Sequence, residues 1–150
     1  MPAYNHGSIL LADDDTDDCA FFEEALGDIV LNTRFTTVHD GEQLMQHLLK
    51  DAGVLPDIIF LDLNMPRKNG FECLLEIKQH QILKLLPVII LSTSYEQEVV
   101  NLLYQSGAHY FIRKPSLFSK FKKIIHSTLA TMAIEKYMRP NKENFVLTSD

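Results

Sequence analysis

Short apolar runs alternate strictly with amphipathic stretches along this chain, and that alternation narrows the fold more than any other feature. Ser8–Ala12, Phe35–Val38, Asp57–Asp62, Pro87–Ser92 and Tyr110–Arg113 read as strands. After each comes helical spacing: about 17–27, 41–50, 70–80, 96–106 and a long stretch from Ser116. Five strand–helix units in alternation imply a parallel sheet with helices on both faces. Ile58-Ile59-Phe60-Leu61 is apolar at every position, as a strand buried on both faces must be. Right-handed crossovers then favour the flavodoxin-like (βα)5 arrangement, a doubly wound five-stranded sheet of order 2-1-3-4-5. A chain of 150 residues is long enough to bury roughly two-thirds of its unfolded surface in one such core.

In open α/β sheets, chemistry collects in the crevice beyond the carboxyl ends of the strands. Asp62 ends the third strand there. Asp13 and Asp14 end the first, Ser92 the fourth, and Lys114 follows the fifth. The predicted strand order brings Asp13, Asp14 and Asp62 to one place. Three carboxylates in one crevice raise one another's pKa values unless a cation balances them. Oxygen-only ligands around an open position suit Mg²⁺, which keeps several waters and binds carboxylates together with a phosphate. Ser92 can donate to a phosphoryl oxygen, although a serine there more often caps the following helix. Lys114 can neutralise charge on a transferring group. Arg113 points to the other side of its strand as a surface cation. The Lys114–Pro115 bond is a candidate cis peptide.

The run Asp13-Asp14-Asp15-Thr16-Asp17-Asp18 admits two other readings. An EF-hand calcium loop starting at Asp13 would find oxygens at Asp15, Asp17 and Glu24, but its sixth position needs glycine and holds Asp18. A haloacid-dehalogenase-type phosphohydrolase would use Asp13 as nucleophile in a D-x-D pattern. Thr16 then falls one residue early, and no acidic pair follows Lys114. Asp17 and Asp18 suit the positive end of a helix dipole, and Asp15 suits a loop or a helix cap.

A net charge of −6 argues against a nucleic-acid groove or an anionic membrane surface, since both need clustered Lys and Arg. Cys19 and Cys73 fall in predicted helices and read as reduced, buried thiols of a cytoplasmic protein, and no secretory segment precedes them. No apolar run approaches the length of a membrane span. His6, His39, His47, His80, His109 and His126 lack ligand spacing, so surface or packing roles are the default.

Asp13-Asp14, Leu61-Asp62-Leu63-Asn64-Met65-Pro66 with Gly70, Leu91-Ser92-Thr93 and Lys114-Pro115 together resemble the receiver domain of bacterial two-component response regulators, over about residues 7–130. The resemblance implies that Asp62 accepts a phosphoryl group from a sensor histidine kinase or a phosphotransfer protein. It implies Mg²⁺ held by Asp14, Asp62 and the Asn64 main-chain carbonyl, with Asp13 acting through water. Ser92 and Lys114 would bind phosphoryl oxygens, and Phe111 occupies the aromatic switch position. Ser at 92 replaces the commoner Thr, and Asn64 and Ser94 stand where the family tunes phosphate lifetime. The protein is then a switch and not an enzyme, beyond an intrinsic autophosphatase activity. A phosphohydrolase and a phosphorylation-independent adaptor are the competing functions.

The last helix carries Leu117, Phe118, Phe121, Ile124, Ile125, Leu129 and Met132 on one face and Lys120, Lys122 and Lys123 mostly on the other. Its pattern runs through Ile134 and Tyr137 to about residue 138, before Pro140. The 139–150 tail is polar around one apolar cluster, Phe145-Val146-Leu147, which either frays or docks on its own domain or a second copy. No output domain is legible after it, so a stand-alone receiver is expected, signalling by binding a partner or forming a homodimer. The extension is similar to that of small regulators paired with phytochrome-type kinases.

Overall fold

The structure, a computed structural model, describes residues 7–27, 33–50, 55–135 and 138–148. His6 and Tyr137 lie outside the described residues. The elements run β1 (Ser8–Ala12), α1 (Thr16–Leu26), β2 (Arg34–Val38), α2 (Gly41–Lys50), β3 (Ile58–Asp62) and α3 (Gly70–Gln79). They continue with β4 (Val88–Ser92), α4 (Gln97–Gln105), β5 (Tyr110–Arg113), α5 (Phe118–Ile134) and β6 (Val146–Leu147). All strand pairs are parallel, in the order β2-β1-β3-β4-β5-β6. The doubly wound arrangement and the order of the first five strands are as expected.

Local chemistry explains where the elements begin. Asp15 caps α1, its carboxylate accepting from the Asp17 and Asp18 amides at 2.9 and 3.3 Å. Asn69 and Glu72 form a capping box at the start of α3. Strands β3 and β4 are buried at every residue, because helices cover both of their faces. On one face Leu10, Ile59 and Ile90 pack against Leu44, Leu74 and Leu103 of α2, α3 and α4. On the other, Leu11, Phe60 and Leu91 pack against Phe22 of α1 and Ile125 and Leu129 of α5. Each such buried side chain contributes about 1.5–3 kcal/mol, enough in sum to hold the strand ends in fixed register.

The sixth strand corrects the five-strand expectation. Val146 and Leu147 pair with Phe111 and Ile112 along the outer edge of β5, and the Phe111 amide donates to the Phe145 carbonyl at 3.1 Å. Phe145 is buried, with its ring edge-on to Tyr104 of α4 at 5.1 Å. Arg139 anchors the approach: its Nε donates to the Ala108 carbonyl at 3.2 Å, and its guanidinium lies 4.3 Å above the Tyr104 ring. The Tyr104 hydroxyl donates to the Pro140 carbonyl at 3.1 Å. The tail thus docks on its own domain. A two-residue strand offers no alternation to read, so only its apolar cluster was visible in sequence.

Helix α5 stops at Ile134, short of the expected residue 138, with the Glu135 backbone at φ −116°, ψ 50°. Ile134, the last residue of α5, is exposed. The Lys114–Pro115 bond is trans. No helix among the described residues is long and apolar enough to cross a membrane.

Candidate functional site

Strand register assembles the site. Ala12 pairs with Leu61 across β1 and β3, so the next residues, Asp13 and Asp62, emerge side by side at the carboxyl edge. Leu91 pairs with Asp62 and Ser92 with Arg113, which brings Ser92 and Lys114 to the same edge. Carboxylate oxygens of Asp13, Asp14 and Asp62 lie within 4.8 Å of one another, an arrangement able to hold a metal ion. Asp13 and Asp62 are buried and Asp14 is exposed, so the cluster opens to solvent through Asp14.

Lys114 is the cation of the site. Its Nζ lies 3.1 Å from Asp13 Oδ2 and 3.4 Å from Asp18 Oδ2. The other Asp13 oxygen accepts the Asp15 amide at 3.0 Å. Behind Asp13, His39 Nδ1 and Cys19 Sγ approach its carbonyl at 3.1 and 3.5 Å. Asp62 Oδ1 accepts the amide of Asn64, an exposed residue, at 3.4 Å. Burial drives the Asp62 carboxyl up to about 7; Lys114 opposes that rise and Asp13 adds to it. Burial works against the Lys114 ammonium, yet Asp62, Asp13 and Asp18 outweigh it and raise its pKa.

Close backbone approaches fix the β3–α3 loop. The Gly70 amide donates to the Leu63 carbonyl at 3.0 Å, and a Cβ on Gly70 would meet the Asp62 carbonyl oxygen at 2.4 Å. Only glycine fits there.

Ser92 is buried, and its hydroxyl accepts the Ser94 amide at 3.1 Å. It does not cap α4, whose N-cap residue is Glu96. Phe111 lies further down the sheet, buried, with its ring edge-on to Tyr95 at 6.1 Å. A cleft of about 180 Å³, lined among others by Asn64, Ser92, Ser94, Val100 and Phe111, joins it to the strand ends. Arg113 is exposed and stacks over Tyr95 at 5.9 Å. The fold therefore brings Asp13, Asp14, Asp62, Asn64, Ser92 and Lys114 together and leaves Phe111 at the far end of the cleft.

Two contacts were not legible beforehand. Asp18 reads in sequence as a helix-dipole acid, but from the first turn of α1 it faces Lys114, a contact that no spacing signalled. Tyr95 carried no signal at all.

Comparison with known proteins agrees with this geometry. The model of the response regulator receiver domain matches residues 9–126. The response regulator Rcp1 of Synechocystis sp. is 33% identical over 110 residues, 71% of this chain and 75% of that protein. The chemotaxis protein CheY of Bacillus subtilis is 33% identical over 113 residues, 75% of this chain and 92% of that protein. Among solved structures, the phosphorylated cyanobacterial phytochrome response regulator RcpA superposes with a TM-score of 0.80 at 30% identity, covering 91% of this chain and all of that one. The Mn²⁺-bound form of Rcp1 gives 0.78 at 28% identity, covering 89% and 99%. With the carboxylate cluster, the lysine and the buried serine each at the end of its own strand, the chain belongs to the response regulator receiver domain family.

Proposed function

We propose that the protein is a phosphorylation-dependent switch in which Asp62 accepts a phosphoryl group from the phosphohistidine of a sensor histidine kinase or a phosphotransfer protein. The observation that carries this is the meeting of Asp13, Asp14 and Asp62 within 4.8 Å, beside the Lys114 ammonium. Such a set is costly to hold as bare charges and fits a divalent cation plus an incoming anion. Asp14, Asp62 and the Asn64 carbonyl would hold Mg²⁺, with Asp13 acting through water; bound there, the ion supplies charge neutralisation. Asp62 presents the attacking oxygen. Lys114 balances charge on the phosphoryl oxygens, and the Ser92 hydroxyl, which accepts from the Ser94 amide, donates its own O–H to one of them.

The cleft between Ser92 and Phe111 gives the aromatic ring room to follow the hydroxyl. That movement would alter the α4–β5–α5 surface that meets a downstream partner or a second copy. The receiver unit runs to about residue 138, with 139–150 as a C-terminal tail in which Val146 and Leu147 add the edge strand. Two buried free thiols, Cys19 and Cys73, fit a reducing cytoplasm. Loss of the phosphate by hydrolysis is the only turnover this site would perform.

The test is incubation with Mg²⁺ and acetyl phosphate followed by intact-mass measurement. One phosphoryl adduct is expected, absent in Asp62→Asn. An adduct that persists in that variant would place the chemistry elsewhere, at Asp13 for a phosphohydrolase; no adduct at all would favour the adaptor.

A further inference from the structure

We infer that Asp18 is a positioning residue that holds Lys114 away from the acceptor and so restrains phosphorylation of Asp62. The inference rests on the function proposed above. Lys114 Nζ is bonded on one side to Asp13 Oδ2 at 3.1 Å and on the other to Asp18 Oδ2 at 3.4 Å, and no ion pair joins it to Asp62 within 4.0 Å. The ammonium therefore lies between β1 and α1. It faces a cleft of about 210 Å³ that Asp13, Asp18, Phe21 and Thr93 help to line, and Asp62 is not part of that wall.

The two anchors differ in strength. Asp13 is almost wholly enclosed, with a side chain 2% exposed, and its second oxygen is fixed by the Asp15 amide. Asp18 is 47% exposed, so its half of the pair is screened by water and readily broken. When a phosphoryl group arrives on Asp62, Lys114 must turn toward it. The Asp18 contact is the one to be released. Asp18 thus acts as a counter-ion that competes with the phosphoryl oxygens for one ammonium.

In the reaction an Asp62 carboxylate oxygen forms a bond to phosphorus as the bond from phosphorus to the acetate oxygen of acetyl phosphate breaks. The electron pair leaves with acetate, and no proton or redox partner is needed. Lys114 helps by meeting charge on the transferring group, so freeing it lowers the barrier. The full chain, with Mg²⁺ and acetyl phosphate, would be followed by intact mass over time for the parent, Asp18→Asn, Asp18→Ala, Asp18→Glu and Asp17→Asn. Asp17 carries the same charge in the same turn, but no ion pair joins it to Lys114, so it reports general repulsion of the anionic donor.

Asp18→Asn and Asp18→Ala should be phosphorylated about threefold faster or more, the scale of an exposed ion pair, while Asp18→Glu and Asp17→Asn stay near the parent rate. Equal or slower phosphorylation in both neutral variants overturns the inference, and so does an equal acceleration in Asp17→Asn. A parent that takes up no phosphoryl group removes the function beneath it, a different outcome from a parent that reacts at a rate indifferent to Asp18.

Discussion

The ammonium of Lys114 rests on Asp13, 3.1 Å away, and not on Asp62, whose carboxyl beside it is driven up to about 7. The cation therefore bonds directly to the carboxylate that stays unmodified, and burial outweighs its longer-range pull on the proposed acceptor. Both halves of that relationship can be tested.

Without a cation, Asp62→Asn should stabilise the protein at pH 8. Asp62 holds its proton more tightly when folded than at its ordinary 3.8, so its ionisation costs stability above that pH, and the cost is complete once pH passes about 7. Asparagine carries no such cost. Chemical denaturation in EDTA should show a gain of roughly 1–3 kcal/mol at pH 8, after allowing for screening, shrinking toward pH 5. A difference independent of pH would refute the assignment.

Divalent cation binding should depend on the same proton. Ions bind the ionised carboxylate, so the apparent Mg²⁺ affinity should fall by up to about tenfold per unit as pH drops below about 7, where Asp62 takes up its proton. Mg²⁺ at ten times its Kd should add about 1.4 kcal/mol of stability. Thermal melts with and without Mg²⁺, at pH 6 and pH 8, read this directly, and Asp14→Asn should lose most of the effect.

Removing the lysine should harm the fold as well as the chemistry. Lys114→Ala leaves the buried Asp13 carboxylate without its cation, a loss of about 2–4 kcal/mol. The double variant Asp13→Asn/Lys114→Met should recover part of it, since neither group is then an unpaired charge. Urea unfolding of the two proteins decides the point; equal stability would mean that the pair is not coupled.

Gly70→Ala should distort the acceptor without touching any charge. Its Cβ would collide with the Asp62 carbonyl oxygen at 2.4 Å, so the β3–α3 loop must move. A loss of about 2 kcal/mol or more and slower phosphorylation by acetyl phosphate are expected, from overpacking against backbone that cannot yield. Gly27→Ala, where a Cβ meets nothing within 4 Å although φ is +50°, serves as the comparison and should leave phosphorylation unchanged.

Phe145→Ala tests the docking of the tail. The ring is buried against Tyr104, and removing a buried phenylalanine costs about 3–5 kcal/mol when the cavity does not collapse. A loss below 0.5 kcal/mol in urea unfolding would show that the segment is not held there.

Most of the fold was legible because its signal is periodic. Apolar runs such as Ile58–Leu61 and the helical spacing of Leu44, Met45 and Leu48 fix which faces are buried, and strand order then fixes which ends meet. The neighbourhood of Asp13, Asp14 and Asp62 follows from that order. Side-chain choices do not. Whether Lys114 turns to Asp62 or to Asp18 depends on exposure and competing charge, which no spacing encodes. Strand β6 is too short for periodicity, and its place depends on Arg139, Tyr104 and Phe145 meeting across residues distant in sequence.

Docking of Val146 and Leu147 along β5 has one more consequence. Tyr110, Phe111 and Ile112 are the buried residues of β5, and without a neighbour their outer backbone groups would stand as an open template for another chain's strand. The tail occupies that template. Cutting or displacing it would leave that sheet margin open, and self-association at high concentration should then increase.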